Sequence, residues 1–309
     1  MLWAALLTVY VVWGSTYLAI RIMVETMPGL LSAGVRFAVA GAIFYAALRL
    51  RGGAARMKVT RAQVAAAALV GTLLCFGGNG LVTLAEEDVP SGLAALIIGA
   101  VPLWVVIMRV IDRERVPTGT LAGVAVGFVG LAVLVLPGDR PGDAPLVGML
   151  VIVLASISWA AGSFYSKRMD LPSDTLVSTA FQMLLGGLAM VVVSLAAGEG
   201  SEVDLSAFST RSTLAFVYLI IFGSLLAFTA YTWLLQNAPI STVATYAYVN
   251  PVIAVVLGAL ILSEEVTATV VVGAAAIVLS VATVVRRESA EPAPAVPGGG
   301  VEPTAPSRS

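Results

Sequence analysis

The sequence has little charge and no histidine. Of its 309 residues, 11% are Asp, Glu, Lys or Arg and 59% are hydrophobic, and the mean hydropathy is +0.98. A soluble globular protein carries roughly 25% charged residues, so this composition excludes that class. The absence of histidine excludes Ser-His and Cys-His hydrolases, histidine metal sites and histidine proton relays. We expect an integral membrane protein that is not an enzyme, with no catalytic residue, cofactor, metal site or nucleic-acid partner.

Lysine, cysteine and membrane-embedded acids are also scarce. The two lysines, Lys58 and Lys167, lie in loops, which excludes a Walker A loop and a retinal Schiff base. Cys75 is the single cysteine, so no disulfide can form within the chain. All 18 Asp and Glu residues fall in loops, at helix ends or in the C-terminal tail, so a buried aspartate relay is missing. Boundary acids, above all Glu86 and Glu264, are the candidates for any energy coupling.

What the sequence does contain is a series of apolar runs of about 20 residues, each long enough to cross about 30 Å of hydrocarbon. Each run must be helical because a backbone in lipid has to satisfy its own hydrogen bonds, and the runs do not alternate as barrel strands do. The sequence predicts an all-α integral membrane protein with ten transmembrane helices, at residues 2–24, 30–49, 62–83, 90–110, 118–136, 146–166, 174–197, 211–235, 241–262 and 266–285.

The distribution of Arg and Lys predicts the orientation in the bilayer. With a cytoplasmic N-terminus, thirteen of these residues fall in inner loops or the tail, and two, Arg140 and Arg211, fall in outer loops. By the positive-inside rule, both termini are expected to face the cytoplasm.

The chain also contains an internal duplication. In each half a proline opens an apolar stretch and a second proline follows twelve residues later, and in each half a tryptophan precedes a polar residue by 23 positions. The matching pairs are Pro90 and Pro102 with Pro239 and Pro251, and Trp13 and Arg36 with Trp159 and Gln182. Because each unit has five helices, the second begins on the opposite side, which predicts two inverted repeats. Such a duplication, interrupted at corresponding prolines, is typical of a transporter.

Arg36 is the clearest candidate for a binding residue. It lies about 9 Å below the outer end of the second helix, at 1.5 Å per residue. An arginine there is costly unless it faces a cavity or a partner. Either it fixes helix packing, by snorkelling outward or pairing with Glu25 or Glu86, or it binds a substrate carboxylate through bidentate hydrogen bonds.

Two prolines inside apolar runs, Pro102 and Pro251, are predicted to break their helices because each lacks an N–H and frees the carbonyl four residues earlier. Polar and aromatic side chains near these breaks and in the first, third and sixth helices are expected to line a cavity for a small amphipathic solute. These candidates are Trp13, Tyr17, Asn79, Trp104, Trp159, Tyr246, Tyr248 and Asn250. The alternative for each is simple packing on a neighbouring helix.

Two glycine patterns are open to more than one interpretation. The run of residues 77–80, with Asn79 among three glycines, indicates either a locally loosened helix or close helix packing. Gly119, Gly123 and Gly127 form a small-xxx-small ladder, which joins either the two halves of the chain or two protomers of a homodimer.

Several motifs in order resemble the EamA-type carriers of the drug/metabolite transporter superfamily, most of all the YedA group of bacterial exporters. They are residues 13–21, 34–37, 78–80, 85–86, 89–92, 156–160 and 246–251. The resemblance implies two EamA repeats, residues 1–136 and 146–286, joined by an outer linker at 137–145. Residues 287–309, rich in Pro, Gly, Ala and Ser, are expected to form a disordered cytoplasmic tail. The resemblance also implies a multi-pass protein of the bacterial inner membrane.

The sequence thus predicts a secondary transporter, a permease that exports small metabolites by alternating access. A single embedded cation without an embedded acid favours a carboxylated solute such as an amino acid. The alternative is a broad-specificity efflux carrier for apolar drugs, in which the aromatic residues dominate and Arg36 is structural. A receptor or membrane scaffold that binds without transporting is a third possibility, which the duplication and the lack of a soluble effector domain disfavour.

Overall fold

The computed structural model of the chain describes residues 1–136, 143–201 and 203–290, and every helix and contact given below belongs to these ranges. Most of the predicted linker and residues 291–309 of the predicted tail lie outside them. Within them the chain is helical and contains no strand. The main helices are α1 (Leu2–Val24), α2 (Gly29–Gly53), α3 (Arg61–Ala85), α4 (Ser91–Ile111), α5 (Thr118–Val135), α6 (Leu146–Ser166), α7 (Thr175–Ala197), α8 (Thr210–Asn237), α9 (Tyr246–Leu262) and α10 (Ala268–Arg287).

The predicted helix at 241–262 differs most from expectation. The chain makes one helical turn, Ile240–Val243, and then begins the 17-residue α9, which spans about 26 Å at 1.5 Å per residue. The ladder is interrupted where the N–H groups of Thr245, Ala247 and Tyr248 bond three residues back instead of four; the Thr245 hydroxyl also donates to the Thr242 carbonyl, 2.6 Å away. Among the described residues, nine helices rather than ten are therefore long and apolar enough to cross a membrane.

Successive helices run in alternate directions, so their loops gather at two ends of the bundle. The end that we name the basic end holds loops that contain Arg or Lys, two of them together with as many Asp and Glu: 54–60, 112–117 and 167–174. The end that we name the acidic end holds loops rich in Asp and Glu: 25–28, 86–90 and 263–267. Ion pairs join loops within each end, with Arg56 Nε 2.7 Å from Asp174 Oδ2 and Arg211 Nη1 3.5 Å from Glu25 Oε1. The loops predicted to be cytoplasmic thus share the basic end.

Helix α7 is packed so closely against α2 and α3 that only glycine fits at the contacts. A Cβ atom at Gly187 would lie 2.4 Å from the backbone nitrogen of Ala38, and one at Gly71 would lie 2.2 Å from the carbonyl oxygen of Gln182. Backbones approach this closely in membranes because small residues allow extensive van der Waals contact where no hydrophobic driving force acts between helices. These contacts join a helix of the second half to two helices of the first.

The ladder of Gly119, Gly123 and Gly127 on α5 lies against α10 of the same chain. Ser280 on α10 donates its hydroxyl hydrogen to the Gly123 carbonyl, and a Cβ at Gly123 would meet Val284 Cγ2 at 3.2 Å. The ladder therefore joins the two halves of one chain, the first of the two interpretations of the sequence. A homodimer through the same face stays a prediction.

Candidate substrate-binding site

The middle of the bundle contains a cavity of about 40 Å³ between α1, α3, α4, α6 and α9. Its lining residues are Trp13, Thr16, Tyr17, Ile20, Gly78, Asn79, Val82, Ile98, Trp159 and Tyr246. Five of the residues that the sequence proposed for the site are among them: Trp13, Tyr17, Asn79, Trp159 and Tyr246. A cavity of this size holds one or two water molecules, so a larger solute requires the walls to move apart.

The wall facing the basic end is a cluster of four rings that we name the aromatic plug: Trp13, Trp159, Tyr231 and Tyr246. The Trp13 and Trp159 rings meet edge to face with their centroids 5.2 Å apart, and the Trp13 and Tyr231 centroids are 4.8 Å apart. Trp159 Nε1 donates to Tyr231 Oη over 3.1 Å, and that hydroxyl also bonds Ser163 Oγ at 2.6 Å. The plug is therefore held by ring contacts and a short polar network, and sequence reasoning missed Tyr231.

Two residues of the cavity wall, Trp13 and Asn79, lie in stretches of π-helix. Residues Val9–Trp13 of α1 and Thr72–Gly80 of α3 are π-helical, a wider winding that leaves some backbone groups without their usual partner. Within the second stretch, the Asn79 side chain also donates from Nδ2 to the Leu74 carbonyl over 3.4 Å. The helix around the glycine run of residues 77–80 is thus locally loosened, as one interpretation of the sequence proposed.

Arg36 lies directly behind Asn79 rather than in the cavity wall. Its side chain is 2% exposed, Nη2 donates to Asn79 Oδ1 over 3.1 Å, and its guanidinium carbon lies 4.2 Å from the Phe37 ring centroid. Nε and Nη1 have no hydrogen-bond partner among the described residues. Asn79 therefore connects the cavity to a buried cation that keeps two free donors.

The structure places the remaining predicted residues around this centre. Asn250 is buried on α9, and its Oδ1 has no hydrogen-bond partner in the described ranges. Trp104 packs on Phe128 with centroids 4.6 Å apart and donates to Ser156, so its ring faces α5 and α6 instead of the cavity. Tyr248 is half-buried against the core, outside the residues that line the cavity.

Helix α4 is interrupted just before its proline, whereas α9 continues through Pro251, so the predicted break at Pro251 does not occur. Helix α4 breaks at residues 99–100, and Pro102 is the second residue of the segment that follows. Pro251 lies inside α9, and the carbonyl of Ala247 four residues earlier faces Gly99, where a Cβ would lie only 3.1 Å from the oxygen. The break in α4 thus packs on α9 beside Pro251, and Gly99 leaves room for the carbonyl that the proline frees.

Glu264 seals the acidic end. Its carboxylate accepts hydrogen bonds from Ser91 N–H and Ser91 Oγ, each 2.8 Å away, and from Gly92 N–H at 3.0 Å. The carboxylate thereby caps the N-terminus of α4 and ties it to the loop before α10. Gly258 leaves space for it, because a Cβ there would lie 2.3 Å from Glu264 Oε2.

We predict that Glu264→Ala opens the acidic end, since it removes three charge-assisted hydrogen bonds between the two halves, each typically worth about 1.5–3 kcal/mol. Ile20→Cys, a buried position in the cavity wall, serves as the reporter, and the native Cys75 is buried. A membrane-impermeant maleimide should label the thiol introduced at position 20 at least about tenfold faster when Glu264→Ala is also present. The exposed neighbour substitution Glu265→Ala is the control, and equal labelling in both variants would contradict a sealing role.

The basic end instead contains a wide vestibule of about 460 Å³ between α6, α7 and α8. Its lining residues are Ser166, Lys167, Met169, Leu171, Pro172, Ser173, Gln182, Thr232, Leu235 and Gln236. A small cavity of about 10 Å³ shares Leu235 with the vestibule and Tyr246 with the central cavity. This small cavity therefore borders the other two, and its own wall includes Tyr231 and Tyr246 of the aromatic plug.

A bundle of membrane-length helices around a central polar and aromatic cavity, with a vestibule at one end, is typical of a multi-pass membrane transporter. The sequence profile of the EamA-like transporter family matches residues 1–136 and 146–286. The chain belongs to this family.

The chain is similar to proteins named as a transporter or an efflux pump and to one solved structure. The "Uncharacterized inner membrane transporter YedA" of Escherichia coli (strain K12) is 40% identical over 259 residues, which are 83% of this chain and 81% of that protein. The "Probable amino-acid metabolite efflux pump" of Salmonella typhimurium (strain LT2) is 25% identical over 279 residues, 87% of this chain and 89% of that protein. A solved structure described as "Crystal structure of protein" is 21% identical, covers 91% of this chain and 96% of its own, and has a TM-score of 0.65. That last likeness concerns the fold alone.

Proposed function

We propose that the protein is a secondary carrier that exports small carboxylated metabolites, amino acids above all, across the inner membrane. The observation that carries this proposal is the buried Arg36, which keeps two free donors behind Asn79 at the central cavity. An unpaired cation in a low-dielectric interior costs several kcal/mol, and a bound carboxylate offsets that cost with charge-assisted hydrogen bonds. One relative is named a probable amino-acid metabolite efflux pump, which agrees with this substrate class.

In the proposed site, the substrate carboxylate binds the free edge of Arg36, and Asn79 provides directional hydrogen bonds. Asn250, with its free and buried Oδ1, accepts a hydrogen bond from the substrate once the walls separate. The rings of Trp13, Tyr17, Trp159 and Tyr246 form apolar walls for the rest of the solute. Trp104 and Tyr248 support the walls by packing.

We propose alternating access between two inverted five-helix repeats, ten helices in all, with both termini in the cytoplasm. Two contacts support this. Trp13 and Trp159, which hold matching positions in the duplication, meet at the centre of the bundle. The bond of Glu264 to Ser91 closes the acidic end while the vestibule leaves the basic end accessible, as expected for a carrier open towards the cytoplasm.

A second candidate function is efflux of apolar drugs. The observation in its favour is the aromatic plug, whose rings provide a broad apolar surface with few directional groups. In that case Arg36 has a packing role only, with its guanidinium over Phe37.

Counterflow in proteoliposomes separates the two functions. Vesicles that contain the purified protein are loaded with a mixture of unlabelled amino acids, and labelled amino acids are added outside. We expect accumulation of label above protein-free vesicles. Flux of apolar toxic compounds without any amino-acid flux would favour the drug carrier and exclude the proposed substrate class.

A further inference from the structure

Glu86 combines complete burial with a lack of hydrogen-bond partners. The residue directly follows α3, is 0% exposed, and has no partner for either carboxylate oxygen among the described residues. Arg36 and Glu86 are the two buried charged side chains in the part of the chain that the structure describes. Buried carboxyl groups are normally paired or hydrogen-bonded, so an unpartnered one indicates a function. The sequence placed Glu86 at a membrane boundary; the structure adds that protein covers it.

The charged and titratable groups that interact electrostatically with Glu86 come from three other elements. Tyr17 and Arg21 lie on α1, Arg36 lies on α2, and Glu264 lies in the loop before α10. Burial raises the pKa of Glu86 well above its usual range and the charge of Glu264 adds to this, while the two guanidinium groups act in the opposite direction. The carboxyl group therefore carries a proton in this environment at pH values where an exposed glutamate is ionised.

Neither nearby guanidinium group uses the Glu86 carboxyl as its partner. Arg21 donates to the backbone carbonyls of Glu86 and Glu87, and Arg36 donates to Asn79. A buried cation and a buried acid thus stay apart although they lie on neighbouring helices. Each keeps two polar atoms without a hydrogen-bond partner among the described residues: Nε and Nη1 of Arg36, and both carboxylate oxygens of Glu86.

Helix α3 connects both groups to the central cavity. Val82, one helical turn before Glu86, lines the cavity, as does Asn79, which accepts a hydrogen bond from Arg36. A buried acid thus lies one turn beyond the cavity wall, and a buried cation lies behind it. An α-amino acid carries an ammonium group and a carboxylate, the charges that complement this pair once the walls separate.

We propose that Glu86 binds the ammonium group of a zwitterionic substrate and exchanges that group for a proton. This inference rests on the proposed function and adds the group that binds the substrate ammonium and the energy source. When the ammonium group binds, the O–H bond of Glu86 breaks, the proton leaves through the vestibule, and the carboxylate pairs with the ammonium. When the substrate leaves at the acidic end, a proton from that side restores the O–H bond. Each cycle exports one zwitterion, imports one proton and moves one positive charge inward.

Proteoliposomes test this exchange with two sets of labelled probes, the neutral amino acids and the 2-hydroxy acids with the same side chains. With the amino acids inside and an acidic medium outside, we expect the pH gradient to accelerate efflux by the wild type. In Glu86→Gln this gradient-driven efflux rate should fall at least about tenfold. Counterflow of the 2-hydroxy acids, which lack the ammonium group, should stay within about twofold in Glu86→Gln. The matched control is Glu265→Gln at the exposed neighbour of Glu264, which should behave as wild type.

A pH-sensitive dye trapped in wild-type vesicles gives a readout that needs no variant. Amino acids added outside should drive protons in the direction opposite to amino-acid flux, whereas added 2-hydroxy acids should move no protons. Amino-acid flux that ignores both the gradient and Glu86→Gln would overturn the role of Glu86 and leave the carboxylate carrier intact. Absence of flux for both probe sets would overturn the proposed function, and the proton exchange with it.

Discussion

Arg36→Ala should abolish counterflow of carboxylated substrates, with a loss of about 100-fold or more in transport efficiency. The guanidinium offers two free donors to a carboxylate, and charge-assisted hydrogen bonds are worth about 1.5–3 kcal/mol each, so two of them account for a loss of this size. Arg36→Lys should recover part of the flux, since an ammonium group keeps the charge but lacks the planar fork. Initial rates of counterflow in proteoliposomes measure both effects.

The control for Arg36 is Arg21, the other arginine within the apolar part of α1 and α2. Its guanidinium is already engaged by the backbone carbonyls of Glu86 and Glu87. Arg21→Gln is expected to alter stability more than substrate preference, with the ratio of carboxylated to uncharged substrates unchanged. If Arg36→Ala and Arg21→Gln reduced all substrates to the same degree, Arg36 would be a packing residue.

Gly187→Ala should destabilise the folded protein by about 3 kcal/mol, the upper part of the range for overpacking. The added Cβ lies 2.4 Å from the backbone nitrogen of Ala38 and 2.8 Å from the carbonyl oxygen of Gly34, and neither atom can move without shifting α2. The yield of monodisperse protein in detergent and its thermal unfolding temperature measure the effect.

Gly123→Ala is the matched control, because the same added methyl group meets a side chain rather than a backbone. There the nearest atom is Val284 Cγ2 at 3.2 Å, and a small rotation of that side chain relieves the contact. We expect a change within about 1 kcal/mol. Equal stability of the two variants would show that α2 and α7 are not held at the described distance.

The candidate residues that lie at or directly behind the central cavity were marked by contrast with their surroundings. Arg36 was visible as a charge inside an apolar run, and Trp13 and Trp159 were visible because their spacing to a polar residue recurs in the two halves. Asn79 was marked by three adjacent glycines. The all-helical class followed from composition alone, because lipid leaves a backbone no other partner.

The sequence could not predict features that depend on which helices meet. Tyr231 is one of several aromatic residues in α8, and only the packed structure shows its hydroxyl between Trp159 and Ser163. Burial of Glu86 depends on neighbours from α1, α2 and the loop before α10, which are distant in sequence. The short α9 follows a local change of backbone hydrogen bonding at residues 245–248, which hydropathy does not register.

The most direct test of the central claim, that Arg36 recognises the substrate carboxylate, is a cycle that pairs the protein variant with a modified substrate. Counterflow rates are measured for wild type and Arg36→Ala, each with amino acids and with their methyl esters, which lack the carboxylate. If Arg36 and the carboxylate bind each other, the wild type should discriminate against the esters by about 100-fold and the variant by less than about threefold. If both proteins discriminated against the esters equally, the carboxylate would be recognised elsewhere and the proposed site would be wrong.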